Sequence, residues 1–357
     1  MADTTYPNEH AHIAKGLPME KTLLLTGITG FLGGHIAICA LNAGYRVRGS
    51  LRDMTRADAT RLALAANGAD TSRLDFVELD LLRDAGWTAA CDGIDYMVHA
   101  ASPFVTAMPK DPLDLIRPAV EGTDRALRAA HHAGIQRIVL TSSQIAMHFG
   151  LDPATRPDSI GPDNWSTTDN GRLNAYGQSK TLAEQHAWAL AKALRLPLAT
   201  LQPGLITGPL WDDDPGTSGQ IALRLMRGAF PLAPKLALYL CDVRDIAQIH
   251  VNALTAQHAA GQRHPCAFEP LTIMQIAQAI TEVLPQYRGK MPKAQLPNPI
   301  TRALALFDTD LRGIVNELNY VPQIDTARGH ALLGRAPIPA RQSIADMAIS
   351  LSDRALV

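Results

Sequence analysis

Residues 22–37 read TLLLTGITGFLGGHIA, and the rest of the chain is best read outward from them. The opening apolar run lacks alternation, the pattern of a parallel strand covered by helices on both faces. Gly27, Gly30 and Gly33 follow at intervals of three, and a helical period begins behind them. At a strand-to-helix junction the first glycine permits a tight turn. The second lets the backbone approach a pyrophosphate, and the third lets helix pack closely on strand. The helix N-terminus adds unpaired N–H groups and a partial positive charge. The spacing is GxxGxxG rather than GxGxxG, so its meaning rests on the strand–turn–helix context.

That context repeats along the chain. Short apolar runs predict strands over 22–25, 46–50, 74–78, 96–99, 137–141 and 198–202, and helical periods fall between them, including 33–43, 120–132 and 175–193. Alternation of this kind predicts an α/β, doubly wound parallel sheet of the Rossmann type. Residues 1–20 show neither period and read as a mobile extension, residues 21–202 as the dinucleotide-binding domain. Beyond 203, Pro- and Gly-containing loops predict a smaller substrate-binding lobe in 203–357, with some segments returning to the first domain.

Composition excludes other classes. The 357 residues are 46% hydrophobic and 19% charged, with 33 Lys plus Arg against 34 Asp plus Glu, which fits neither a disordered chain nor a basic nucleic-acid binder. Cys39, Cys91, Cys241 and Cys266 are too scattered for a disulfide framework or a CxxC metal site, so no metal is expected. No apolar run reaches the roughly 18 residues of a membrane span, and residues 1–20 lack a signal core. A cytoplasmic protein with no nucleic-acid or membrane partner is expected.

About twenty residues past the glycine turn, a protein that binds NAD carries an acid for the ribose 2′-hydroxyl. Here the segment is VRGSLRD, with Leu51 in that slot and Arg52 after it, a planar cation suited to a phosphate. NADP(H) is therefore preferred, with Arg48 a second candidate contact; Asp53, two positions on, leaves NAD(H) possible. Asp80 and Leu81 end the third strand, where a carboxylate can accept from an adenine amino group or simply cap a helix. Small Ala100, Ala101 and Ser102 leave room at the fourth strand end, and His99 reads as a packed core residue.

In YGQSK, Tyr176 and Lys180 stand four apart and share one helix face. A free phenol titrates near pH 10 and is a poor acid or base at neutrality, but a neighbouring ammonium, with the positive nicotinamide ring when oxidised, favours its ionised form and should lower that value. Upstream, TSSQ follows the fifth strand, where Ser143, or else Ser142, can hydrogen-bond the reacting oxygen. Each piece is common alone; their order on a parallel sheet is what carries meaning.

These residues resemble the extended short-chain dehydrogenases/reductases, and most closely the dihydroflavonol reductase-like, aldehyde and ketone reductase branch. The matching stretches are TGITGFLGGHIA, VRGSLRD, VHAASPF, VEGTDRALRAA, RIVLTSSQIAM, YGQSKTLAEQHAW, LQPGLITGP and CDVRDIAQIHV, covering roughly residues 21–254. The resemblance implies Ser143, Tyr176 and Lys180 as catalytic residues. It implies a cofactor site of Gly27, Thr29, Gly30, Phe31, Leu32, Gly33, Arg52, Asp80, Leu81, Ala100, Tyr176, Lys180, Pro203, Gly204, Leu205, Ile206 and Ser218. Two departures stand out: Gln144 to His148 replace the small residues that often follow the serine pair, and Cys241 replaces the Val that often precedes DVRD.

The implied reaction is reduction of a ketone or aldehyde by hydride from NADPH, with Tyr176 as proton donor, Ser143 holding the oxygen and Lys180 binding the nicotinamide ribose. Phe104, Met108, Ile145, Met147, Phe149, Leu205, Trp211 and Phe230 are candidate pocket residues that would favour an apolar or aromatic carbonyl compound. The partner is thus a small-molecule carbonyl or alcohol, the protein a monomer or homodimer. Competing readings are a nucleotide-sugar epimerase/dehydratase that retains NAD, against which Leu51 and Arg52 stand, and a nonenzymatic NADP-sensing protein, against which the intact Ser143, Tyr176 and Lys180 stand.

Overall fold

A computed structural model describes residues 21–103, 109, 111–307 and 309–357. The first half of the chain alternates β1 (Thr22–Thr26), α1 (Phe31–Asn42), β2 (Arg46–Leu51), α2 (Ala57–Ala66), β3 (Leu74–Glu78), α3 (Trp87–Cys91) and β4 (Tyr96–His99). It continues through α4 (Leu113–His132), β5 (Arg137–Thr141), α5 (Ile145–His148), β6 (Ser159–Ile160), α6 (Ala175–Leu194) and β7 (Leu198–Pro203). The remainder carries β8 (Leu205–Thr207), α7 (Gly216–Met226), β9 (Ala233–Pro234), β10 (Ala237–Asp242), α8 (Val243–Thr255), β11 (Gln262–Cys266), β12 (Glu269–Thr272) and α9 (Ile273–Val283). Short helices follow, and the long Ala340–Asp353 helix closes the chain.

The main sheet has seven strands in the order β11-β7-β5-β4-β1-β2-β3. Every neighbouring pair is parallel. The strands are apolar on both faces because helices cover both: Leu23 and Leu25 join one core with α1 and α8, while Leu24 joins another with α4 and α6. The chain winds outward from β1 to β3, then crosses to β4 on the other side of β1. Ligands of open parallel sheets bind outside the carboxyl ends of the strands at such a reversal. Beyond β7 a three-stranded sheet, β12-β10-β8, begins at Leu205, two residues after Pro203.

All six expected strands form, within one residue at each end, and the doubly wound parallel fold is as expected. Two elements differ. The fourth helix begins at Leu113 rather than after Pro118, which lies inside it. The seventh strand, QRHPC over Gln262–Cys266, has no apolar run to announce it. As the outermost strand it tolerates a proline, because one row of its backbone groups has no sheet neighbour. Residues 1–20, and Phe104 and Met108 from the expected pocket, lie outside the described residues.

The turn after β1 is fixed by close contact. A Cβ on Gly33 would stand 2.0 Å from the Gly27 carbonyl oxygen, so α1 packs on the turn only through a bare backbone. Gly27 has φ +74, and a Cβ there would meet Ala101 Cα at 2.9 Å. Gly34 is needed for a separate reason. Trp211, from the loop after β8, lies against it so closely that a Cβ would stand 2.1 Å from the indole ring. The indole N–H donates to the Gly30 carbonyl at 3.3 Å. Trp211 is 2% exposed and serves as a buttress of the turn, not as a pocket wall. Gly34→Ala should lower unfolding stability by about 1–3 kcal/mol through overpacking, and much less when Trp211 is already Ala. Urea denaturation of the two single variants and the double variant checks this, and additive losses would contradict it.

Candidate active site

Many of the expected site residues follow the ends of parallel strands, while Tyr176 and Lys180 lie on α6 and Ser218 on α7. Gly27 follows β1, Arg52 follows β2, Asp80 and Leu81 follow β3, Ala100 follows β4, Ser142 and Ser143 follow β5, and Gly204 follows β7. The glycine turn carries Thr29, Gly30, Phe31 and Leu32 on to the N-terminus of α1. Gly216, at the start of α7, approaches Phe31 within 3.2 Å of a notional Cβ, which brings the first turn of α7 and its half-buried Ser218 beside the glycine turn. The bare backbone of this turn leads directly into the N-terminus of α1, the donor set that a dinucleotide's pyrophosphate requires, so the turn fits the group implied by the resemblance.

The β2 end separates the two cofactor alternatives. Leu51 is 2% exposed in the core, whereas Arg52 is exposed and, among the described residues, its guanidinium has no hydrogen bond or ion pair. Asp53 does not fill the acidic slot. Its carboxylate accepts from Thr55 N at 2.9 Å and Thr55 Oγ1 at 2.6 Å, an N-cap that holds it below the usual carboxylate range. Arg48 is also committed, donating to the carbonyls of Ala90 and Asp92 at the end of α3 at 2.9 and 2.8 Å. Asp80 caps no helix but closes a turn, accepting from Leu82 N at 2.9 Å with Arg83 3.6 Å away, and the next helix has Gly86 as its N-cap. Leu81 packs over Gly122 of α4.

Near the other half of the crevice, the backbone N–H of Gln144 donates to the Pro203 carbonyl at 2.9 Å, so the serine loop lies against the β7 end. Gly204 passes under the Tyr239 carbonyl, where a Cβ would come to 2.3 Å. Leu205 and Ile206 pair with Leu240 and Cys241 and begin the small sheet. Asn174 caps α6 by accepting from Gly177 N at 2.9 Å, which places Tyr176 in the first turn and Lys180 one turn on.

The two serines part company here. Ser142 is buried and donates to Glu184 Oε2 at 2.5 Å. Ser143 is half-buried, and its Oγ accepts from Ile145 N at 3.2 Å, which leaves its own proton available to a ligand. The crevice is lined by Ala101, Ser102, Thr141, Ser142, Lys180 and Glu184. Glu184 was missed in the sequence, although it stands one turn past Lys180 on the same face. His99 is core, bonded through Nδ1 to Thr26 Oγ1 at 2.9 Å and 1% exposed.

The electrostatics reverse one expectation. Burial pushes the Tyr176 phenol up to about 12, not down, so in the chain alone the hydroxyl keeps its proton throughout the neutral range. Burial pulls Lys180 down to about 8, opposed by the Glu184 carboxylate. Among the expected pocket residues, Met147 is fully buried and Phe230 lies under the Arg224 guanidinium, while Ile145, Phe149 and Leu205 are half-buried.

A model of the NAD dependent epimerase/dehydratase family matches residues 23–265. The chain belongs to that family. It is 33% identical over 337 residues to cinnamoyl-CoA reductase 1 of Oryza sativa subsp. japonica, covering 90% of this chain and 95% of that one. It is 29% identical over 244 residues to tetraketide alpha-pyrone reductase 2 of Arabidopsis thaliana, covering 67% and 75%. The two relatives are named for different substrates and share a reductase activity, in keeping with the reductase branch of the family. The fold matches the yeast methylglyoxal/isovaleraldehyde reductase Gre2 complexed with NADPH, with a TM-score of 0.76 at 23% identity over 94% of this chain and 100% of that one. Among the described residues, no helix of this family member is long and apolar enough to cross a membrane.

The lowered Lys180 value has a sign that can be checked. An unfolded chain holds that proton up to its ordinary value of 10.5, whereas the folded chain releases it at about 8. Between these values the unfolded state binds more protons, so the lysine's contribution to stability rises with pH across that window. The difference in unfolding free energy between wild type and Lys180→Met, with no cofactor added, should shift in favour of wild type from pH 8 to pH 10; a flat difference would contradict the burial of this ammonium.

Proposed function

We propose that the protein is an NADPH-dependent reductase that converts a ketone or aldehyde, apolar or aromatic in character, into an alcohol with Tyr176 as proton donor. What supports this reading is that Ser143, its own proton free, leads into α5, whose Ile145 packs 3.2 Å from a notional Cβ on Gly177, the residue after Tyr176, and that burial keeps the Tyr176 phenol protonated. The glycine turn would hold the pyrophosphate, and Arg52 the 2′-phosphate. Asp80 and Leu81 would border the adenine, with Ala100, residues 203–206 and Ser218 along the rest of the cofactor. NADPH, when bound, supplies the hydride.

The chain's own residues do the rest. Ser143 donates a hydrogen bond to the carbonyl oxygen, oriented by the bond it accepts from Ile145 N. As negative charge grows on that oxygen, Tyr176 gives up its proton, a direction suited to a phenol that is fully protonated at neutral pH. Lys180 holds the nicotinamide ribose and sets a positive field beside the phenolate that is left, lowering its cost. Ile145, Phe149 and Leu205 offer half-buried apolar surface to the substrate, which supports an apolar or aromatic carbonyl compound.

Tyr176→Phe should keep NADPH binding, measured by fluorescence titration, and lose turnover by about 10²–10⁴-fold, the usual worth of a positioned acid. Retained turnover would defeat the assignment. Arg52→Leu should weaken NADPH binding by about 10–100-fold, as expected for loss of a charge-assisted hydrogen bond, while leaving NADH binding nearly unchanged. Equal losses for both nucleotides would show that Arg52 does not read the phosphate.

A further inference from the structure

Resting on the reductase reading, we propose that Glu184 is a positioning residue: its carboxylate ties the loop carrying Ser143 to the helix carrying Tyr176 and Lys180, and it sets a negative charge one helical turn from the Lys180 ammonium.

Glu184 is 1% exposed, which is unusual for a carboxylate unless its oxygens are satisfied. They are satisfied by groups from four separate elements. Ser142, at the end of β5, donates to Oε2 at 2.5 Å. From β7, Thr200 Oγ1 and Gln202 Nε2 donate to Oε1 at 2.7 and 2.6 Å. Arg263 of β11 donates Nε to Oε1 at 2.8 Å and a terminal nitrogen to Oε2 at 3.1 Å, and Trp188 Nε1 on α6 itself reaches Oε1 at 3.3 Å. Arg263 extends the tie, donating to the carbonyls of Pro162 and Asn164 at 2.8 and 2.6 Å with its guanidinium 3.7 Å from the Trp165 ring centroid.

A buried ion pair is weak evidence for stability, since apolar residues of similar volume often do as well. What an apolar residue could not do here is hold Ser142 in place or present a negative charge one helical turn from Lys180. Ser142 is the residue directly before Ser143, so a fixed Ser142 hydroxyl fixes the backbone from which Ser143 reaches the substrate. The groups facing Lys180 are few. Tyr176 and Glu184 share its helix, His99 of β4 feels its charge but is held neutral by burial, and β5 presents the uncharged Thr141 and Ser142. Arg263 stands behind Glu184, so losing the carboxylate both removes an attraction and uncovers a repulsion.

The test separates geometry from charge by comparing Glu184→Gln, Glu184→Asp and Ser142→Ala as full-length proteins with saturating NADPH and one reducible ketone. Glu184→Gln should move the alkaline limb of the pH–kcat profile down by about one unit, the scale expected when an opposite charge is removed from an ammonium. Glu184→Asp keeps the charge and shortens the reach, so kcat should fall by about tenfold, on the scale of one lost positioning contact, with the limb unmoved. Ser142→Ala should lower kcat by about as much, with NADPH affinity and the limb unchanged. An unmoved limb in Glu184→Gln, or wild-type kcat in Ser142→Ala, would overturn the proposal. If Glu184→Gln does not fold, the kcat of Ser142→Ala and the limb of Glu184→Asp decide it. Tyr176→Phe serves as the control: if it loses turnover while these variants behave as wild type, the reductase reading stands and only the role of Glu184 falls.

Discussion

Three stretches of backbone meet at the carboxyl end of β1: the turn at Gly27, the start of α1 at Gly33, and the strand end at Ala101. Their approach leaves no space for a single added carbon at Gly27 or Gly33. This closeness aims the N-terminus of α1 at the crevice and opens the gap between β1 and β4 where the sheet order reverses. Trp211, reaching back from the small-sheet side, seals the far side of the same turn, so the two parts of the molecule meet where the pyrophosphate site is expected. The glycine turn is thus held by close backbone and indole packing, consistent with the need to hold reacting groups in place before reaction.

Burial does the electrostatic tuning. Proximity to an ammonium, considered alone, suggested an acidified tyrosine; removal of water from around both groups instead leaves Tyr176 a firm proton holder and makes Lys180 the group that loosens. For the proton donor proposed in Tyr176, the protonated ground state is the useful one. A base acting in the opposite direction would need help from the positive charge of an oxidised nicotinamide ring.

Much of this was legible in the amino-acid order, because parallel strands covered on both faces must be continuous apolar runs and because the glycines, Ser143, Tyr176 and Lys180 belong to local motifs. What stayed hidden depends on contacts between distant segments. QRHPC gives no strand signal, yet it pairs with β7 and delivers Arg263 to Glu184. Ser142 and Ser143 are chemically identical in the sequence, and only the carboxylate arriving from α6 tells them apart. Trp211 reads as a pocket wall because its loop is expected to flank the nicotinamide; its actual partner, Gly34, lies far back in the chain. Arg48 and Asp53 looked available to a cofactor because their backbone and side-chain partners cannot be read from spacing alone.

On the proposed reading, one crevice brings a pyridine dinucleotide and the Tyr176 hydroxyl together. A crystal structure of the protein soaked with NADP⁺ tests it most directly. The pyrophosphate should lie on the backbone of residues 27–32, the 2′-phosphate against Arg52, and the nicotinamide ribose within hydrogen-bonding distance of Tyr176 and Lys180. A nucleotide bound elsewhere, or a nicotinamide end remote from Tyr176, would contradict it.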